Sequence, residues 1–372
     1  MQYKIADPEL KGNAKKYVNE CIDTNWISWR GSFVNKFEAE FCKFNNSKYS
    51  STTSNGTVSL HLIFLALGIK KGDEIIVPNM TYHATPNSVR YVGAKPIFVD
   101  ADRDTFNIDV DKIEEKINNK TKAIIAVHLF GNPCNMDKIM EIARKHNLYV
   151  IEDAAQAHGA TYNGIKVGNF GIANSFSFFS NKIITTGEGG MITTPIAEIK
   201  TNIEILKNQG EAIGKRYCPI VLGYNYRMTN IQAAIGLSQI EIVEELLEKR
   251  KQINKWYRTY LNHLVDENVI RFQRPEINSE PVYWMNAIKI IGLDKNKVVK
   301  YLNEKSVETR PFFLPMNEIN HLKDNDNYPV SKDLFENGFI LPGSTKLNEE
   351  DIKHICEELT TIINELRKEN GI

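Results

Sequence analysis

The chain has 372 residues, 42% hydrophobic and 25% charged, and its 46 basic side chains are balanced by 46 acidic ones. That composition suits an ordinary globular core, built as two domains or as one large domain with a smaller one. Zero net charge without a long basic tract excludes the electrostatic footprint of a nucleic-acid binder, and no run of about 18 apolar residues is available to span a membrane.

The first residues, Met1 to Asp7, lack the apolar stretch of a secretion signal, so a cytoplasmic protein is expected. The five cysteines are scattered and form no Cys-x-x-Cys pair, which argues against a metal site or a disulfide framework. Asn55-Gly56-Thr57 fits the glycosylation pattern, but without a secretion signal the match carries little weight.

Residues 8–22 read as a helix, with Leu10, Ala14, Tyr17, Val18 and Cys21 on one side. Trp26 to Gly31 breaks the pattern; its two tryptophans and Arg30 either line a pocket or pack a loop onto the core. Residues 32–44 resume a helix whose Phe33, Phe37, Phe41 and Phe44 read as core. Ser54-Asn55-Gly56-Thr57 opens the helical run Val58–Leu67. Small residues there leave free N–H groups for an anion, although Asn55 or Thr57 can equally be a simple cap.

Strands follow at 74–78, 95–100, 123–127 and 148–153, separated by helices at about 85, at 109–118 and at 136–146. These strands are apolar throughout rather than alternating, which predicts a mostly parallel sheet covered on both faces. Ligands then bind outside the carboxyl ends of the strands, where Asp153 stands.

Residues 175–194 place Lys182 and the turn Thr186-Gly187-Glu188-Gly189-Gly190 between two strand-forming flanks. A lysine in such company is costly to bury as an ammonium, and desolvation favours the nucleophilic free amine. Standing alone, the same lysine reads as one that snorkels to water. Residues 196–207 are helical, 208–222 irregular, and a long helix is expected over 229–262. Beyond residue 266, short strands (269–272, 283–291), helices (295–305, 349–369) and the loop Arg310–Pro315 suggest a small α+β unit.

In combination these residues meet the needs of pyridoxal 5′-phosphate (PLP). Lys182 offers the amine and Asp153 a carboxylate for the pyridinium nitrogen. Ser177 and Thr57 offer phosphate ligands, and Tyr82 a flat side chain over the ring.

The runs Ser54–Thr57, Ile151–Ala157, Ser175–Thr194 and Gly223–Met228 resemble the DegT/DnrJ/EryC1/StrS aminotransferases. They are most similar to that family's GDP-perosamine synthase branch. The resemblance implies PLP-dependent transferase fold type I. Residues 1–262 would form a large α/β domain with a mostly parallel mixed sheet flanked by helices, and 263–372 a small C-terminal α+β domain.

It further implies Lys182 as the Schiff-base lysine, Asp153 on the pyridine nitrogen and Gln156 near the 3-hydroxyl. Gly56, Thr57 and Ser177 would hold the phosphate, with Tyr82 stacked on the ring. Asn225 would reach the cofactor of a neighbouring subunit, implying a homodimer with shared active sites. L-glutamate would donate the amine to a nucleotide-linked 4-keto-6-deoxy sugar. Dehydratases of the same fold carry histidine in place of the lysine, so Lys182 favours transamination over a PLP-dependent dehydratase.

Trp29, Arg30, Arg227, Arg310 and Asn317 are the acceptor-site candidates. Leu314, Asn317 and Asn286 depart from the family's pattern in the region that faces sugar and nucleotide. They leave open a smaller ketone such as dihydroxyacetone phosphate, with Arg30, Arg227 and Arg310 as its phosphate clamp.

Overall fold

The computed structural model describes residues 1–371. Seven strands build the main sheet: β1 (Tyr49–Thr53), β2 (Glu74–Pro78), β3 (Lys95–Val99), β4 (Thr121–Val127), β5 (Tyr149–Asp153), β6 (Ala173–Ser177) and β7 (Gly190–Thr194). Their order is β1-β7-β6-β5-β4-β2-β3. Pairing is parallel from β3 through β6, while β7 runs antiparallel to both β6 and β1. Six strands therefore point the same way, as the continuous apolar runs predicted.

Alternate residues of each strand feed different cores. Ile75, Val77, Ile125 and Val127 pack with Leu60, Ile63 and Phe64 of the helix Gly56–Ala66. Ile76, Ile124, Ala126 and Val150 face the other way, onto Ile139, Ile142 and Ala143 of the helix Met136–His146. Both faces are buried, so neither carries a polar alternation.

The phenylalanine stripe is core. The Phe37 ring centre lies 5.1 Å from that of Phe178, and Phe41 lies 5.0 Å from Phe176. Ser177, between those two phenylalanines on β6, is left for the opposite side.

A second sheet joins β8 (Ile270–Phe272), β9 (Asn286–Ile290), β10 (Arg310–Pro311) and β11 (Gly338–Leu341) in the antiparallel order β8-β9-β11-β10. Its core takes in Val298 and Leu302, the inner face of the helix Glu349–Glu369, and Ile253 and Tyr257 from the helix Val243–Tyr260.

Several expectations need correction. The polar helix at 109–118 is two short 3₁₀ turns, Val110–Lys112 and Glu114–Lys116. Ile113 is its one fully buried apolar residue, too little to hold a helix face. The long helix over 229–262 is three pieces, Asn230–Ile240, Val243–Tyr260 and Asn262–Asp266. It breaks where Ile242 leaves helical geometry at φ −118°. The first piece packs on the N-terminal helices and the second on the C-terminal one, and a straight rod would not reach both. The first helix begins only at Ala14, after the left-handed turn at Gly12. The helix Pro329–Asn337 and strand β11 were not foreseen.

No described helix is long and apolar enough to cross a membrane. No group of three or more His, Cys, Asp or Glu among the described residues is placed to hold a metal ion.

Candidate active site

A cavity of about 700 Å³ opens at the carboxyl edge of the main sheet, and Lys182, Asp153, Gln156, Ser177, Gly56, Thr57 and Tyr82 all line it. They come from the ends of β5 and β6, the start of the helix Gly56–Ala66 and the loops after β2 and β6. The shared sheet edge is what unites residues more than a hundred positions apart.

Lys182 is half-buried in the loop between β6 and β7. Its Nζ lies 4.0 Å from the centre of the Trp284 ring. The Trp284 indole N–H donates to the main-chain oxygen of Asn181 at 2.7 Å, fixing the ring from the residue beside the lysine. Burial lowers the Lys182 pKa to about 8, and the Asp153 carboxylate opposes that shift. About a tenth of this amine is thus neutral at pH 7, against less than about a thousandth for an ordinary lysine. Buried His158 sits against Phe176 and Phe178 with neither ring nitrogen hydrogen-bonded. Burial first and Lys182 second push it down to about 3, so it stays neutral and cannot take the lysine's place as a proton carrier.

β5 ends in two carboxylates with opposite surroundings, because successive side chains leave a strand on opposite faces. Glu152 is fully buried and accepts from the N–H groups of Gly168, Phe170 and Gly171 at 2.7, 2.7 and 2.8 Å. It also accepts from His128 Nε2 at 3.0 Å, since His128 Nδ1 is engaged as the acceptor of the Cys134 N–H. Asp153 faces the cavity. It accepts from Thr85 Oγ1 at 2.7 Å and from the Ala155 N–H at 3.2 Å, leaving lone pairs for a cationic ring N–H.

At the helix start, the Asn55 side chain accepts from the Val58 N–H at 3.0 Å. Asn55 is therefore the cap, while the N–H groups of Gly56 and Thr57 have no protein partner among the described residues. A Cβ on Gly56 would stand 2.9 Å from the Ser177 Cβ. Glycine thus lets two unpaired donors come up beside a serine hydroxyl, an arrangement that fits a phosphate. Gln156 Oε1 accepts from the Phe130 N–H at 2.8 Å, which orients the amide at the cavity wall. Tyr82 is half exposed, with its ring centre 5.6 Å from that of Phe313. Asn181 Oδ1 is buried without a hydrogen-bond partner. The donor set, the free carboxylate lone pairs and the flat wall together fit PLP.

Asn225 is exposed and does not line the cavity of its own chain. Nor do the five acceptor-site candidates. Trp29, Arg30 and Arg227 line a second cavity of about 360 Å³ with Lys207, Glu38 and Glu204. The guanidinium carbons of Arg30 and Arg227 lie 4.9 and 5.1 Å from the Trp29 ring centre. Neither arginine has a carboxylate partner among the described residues, and the Arg227 Nε is buried without a partner. Tyr226 faces the first cavity while Arg227 and Met228 face the second, so this segment is the wall between them.

Arg310 instead pairs with Glu308 at 3.1 Å, so the three arginines do not form one clamp within a chain. Asn317 Oδ1 accepts from Asn79 at 2.9 Å. Asn286 is buried, accepting from Asn254 and donating to the Pro342 oxygen. Leu314 is exposed, while its neighbour Phe313 is the residue that reaches the cavity. Trp284, Thr85, Asn181 and Phe313 are site residues that sequence reasoning passed over. Trp284 had a signal in the Tyr-Trp-Met run, whereas Thr85 looked like an ordinary helix start.

The model of the DegT/DnrJ/EryC1/StrS aminotransferase family matches residues 8–360. The chain belongs to this family. It is therefore a PLP-dependent aminotransferase, and the cavity described above has the residues to hold that cofactor. A GDP-perosamine synthase of Escherichia coli O157:H7 is 43% identical over 357 residues, covering 95% of this chain and 97% of the relative. A GDP-perosamine synthase of Caulobacter vibrioides is 44% identical, covering 96% and 98%. An aminotransferase structure from Psychrobacter cryohalolentis superposes with a TM-score of 0.90 at 31% identity, covering 97% of this chain and 98% of that one. A Streptococcus pneumoniae protein solved in its PLP form gives a TM-score of 0.91 at 27% identity, with coverage of 97% and 98%.

Proposed function

We infer that this family member transfers the amino group of L-glutamate to the C4 ketone of a GDP-linked 4-keto-6-deoxy sugar. The observation that carries the reading is the likeness, at 43% and 44% identity over nearly the whole chain, to two GDP-perosamine synthases. Such a product serves cell-surface polysaccharide assembly.

When bound, PLP supplies an electron sink for the carbon that bears the amine. The chain supplies the rest. The Lys182 amine, with its pKa lowered to about 8, takes the proton from the donor's α-carbon and later delivers one to the acceptor's C4. Asp153 holds the proton of the pyridine nitrogen. Gln156 orients the 3-hydroxyl. Gly56, Thr57 and Ser177 hold the phosphate, and Tyr82 covers one ring face. The Trp284 and Phe313 rings keep water from the lysine.

The enzyme works in the cytoplasm as a homodimer with shared sites. Asn225 is exposed just before the helix Asn230–Ile240, a position from which it reaches a neighbour's phosphate. Five cysteines, all free, suit a reducing compartment. Trp29, Arg30 and Arg227 take the acceptor's diphosphate, since both guanidiniums lack carboxylate partners. Arg310 and Asn317 are occupied by Glu308 and Asn79 and take no part.

The test follows glutamate conversion to 2-oxoglutarate with GDP-4-keto-6-deoxymannose, its TDP-linked counterpart and dihydroxyacetone phosphate. The GDP sugar is expected to lead in kcat/KM by at least about 100-fold, roughly 2.7 kcal/mol at the transition state. A small ketone that matched it would overturn the reading. Loss of a sugar hydroxyl without amine transfer would make the protein a dehydratase.

A further inference from the structure

We propose that Glu188 is the specificity-determining residue for the acceptor, taking hydroxyls of the sugar ring. The inference deepens the function proposed above and rests on it.

Once PLP's ligands are set aside, five aromatic rings remain on the cavity wall: Tyr91, Phe179, Tyr226, Trp284 and Phe313. Glu188 is the one carboxylate besides Asp153 on that wall. Its side chain has no hydrogen-bond or ion-pair partner among the described residues. Its main chain, in contrast, is fixed. The Glu188 carbonyl accepts from Thr186 Oγ1 at 2.6 Å and from Gln232 Nε2 at 2.7 Å. Gln232 is itself held in the capping box with Thr229 that opens the helix Asn230–Ile240. Gly187 takes a left-handed φ of +80°, and a Cβ on Gly189 would fall 2.2 Å from Thr186 Oγ1. The turn is built to hold position 188 in one place while leaving its carboxylate free.

A carboxylate is acceptor-only, and its two oxygens can each receive a hydroxyl of a neighbouring diol. Aromatic faces beside it suit the C–H side of a pyranose ring. Arg30 and Arg227 lie beyond the wall at Tyr226–Met228, so neither guanidinium neutralises Glu188 from within its own cavity. A keto-sugar nucleotide supplies such hydroxyls on the ring that carries its ketone, whereas dihydroxyacetone phosphate has no diol to offer.

Glu188→Gln and Glu188→Ala, each as PLP-loaded enzyme, provide the test. The glutamate half-reaction, followed by single-turnover cofactor absorbance, is expected to be unchanged. In the acceptor half-reaction kcat/KM for the keto-sugar nucleotide is expected to fall about 10–100-fold in Glu188→Ala and less in Glu188→Gln. Discrimination against dihydroxyacetone phosphate should narrow in both. An analogue lacking the hydroxyl next to the ketone should be poor for the wild type but no worse than the full sugar for Glu188→Ala. Unchanged sugar kinetics in Glu188→Ala, or an equal loss in the glutamate half-reaction, would overturn the assignment. If the wild-type enzyme itself fails to aminate the sugar nucleotide, the functional reading fails instead, so the two failures are distinguishable.

Discussion

The amine of Lys182 lies 4.0 Å from the centre of the Trp284 ring, whose indole N–H is tied to the carbonyl of Asn181. One aromatic residue thus both desolvates the lysine and is positioned by the lysine's own neighbour. Trp284 comes from the segment that enters the second sheet, so the lysine's chemistry depends on that sheet being docked against the main one.

Burying this amine has a consequence for stability before any substrate arrives. Its pKa in the folded chain is lowered from 10.5 to about 8. Between those values the unfolded state binds more protons, so stability rises with pH across that window. Below pH 8 the cost of burying the ammonium is fully present. At 1.36 kcal/mol per unit it is at most about 3 kcal/mol. Lys182→Met is expected to make the cofactor-free protein about 1–3 kcal/mol more stable at pH 7, with the gain gone above about pH 10.5. Urea unfolding at the two pH values checks this. A variant less stable than wild type at pH 7 would contradict it.

Asp153 works on the same lysine with the opposite sign, since its charge raises the Lys182 pKa against burial. Asp153→Asn should therefore lower that pKa further below 8. The pH midpoint for labelling Lys182 with an amine-reactive reagent reports it directly. A midpoint that stayed put or rose would show that the two groups are not coupled as described.

Glu152 neighbours Asp153 in sequence yet answers to the fold. It satisfies three main-chain N–H groups and His128. Glu152→Gln replaces one acceptor oxygen by a donor facing donors, and should cost about 3 kcal/mol in unfolding free energy. Retained wild-type stability would contradict this role.

At Gly56 the obstacle is steric. The added methyl of Gly56→Ala would meet the Ser177 Cβ at 2.9 Å, and neither atom belongs to a flexible side-chain end. The helix start must then move off β6, widening the phosphate cradle. A loss of PLP affinity of about 10-fold or more is expected, at roughly 1–3 kcal/mol in stability. Equilibrium dialysis of the cofactor checks it, and unaltered affinity would argue that phosphate binds elsewhere.

The cofactor half of the site was legible because its residues sit in local patterns: a strand ending in Asp153, a small-residue helix start, a lysine before a glycine turn. Parallel strands then had to bring those ends to one edge. Phe313 carried no signal and Trp284 only that of the Tyr-Trp-Met run, because both reach the cavity from the second sheet and only tertiary docking puts them there. The acceptor candidates scattered for a related reason. Arg310 and Asn317 found nearer partners in Glu308 and Asn79, which no spacing in the sequence foretells. The break at Ile242 was hidden because no proline or glycine marks it between Ile240 and Glu244, and only two separate packing partners demand it.

The whole cavity is built around the amine of Lys182. Reducing the PLP-loaded enzyme with borohydride and mapping the modified peptide tests it most directly. A single pyridoxyl group on Lys182 is expected, absent from Lys182→Ala. A label on another lysine, or one that persists in Lys182→Ala, would contradict it.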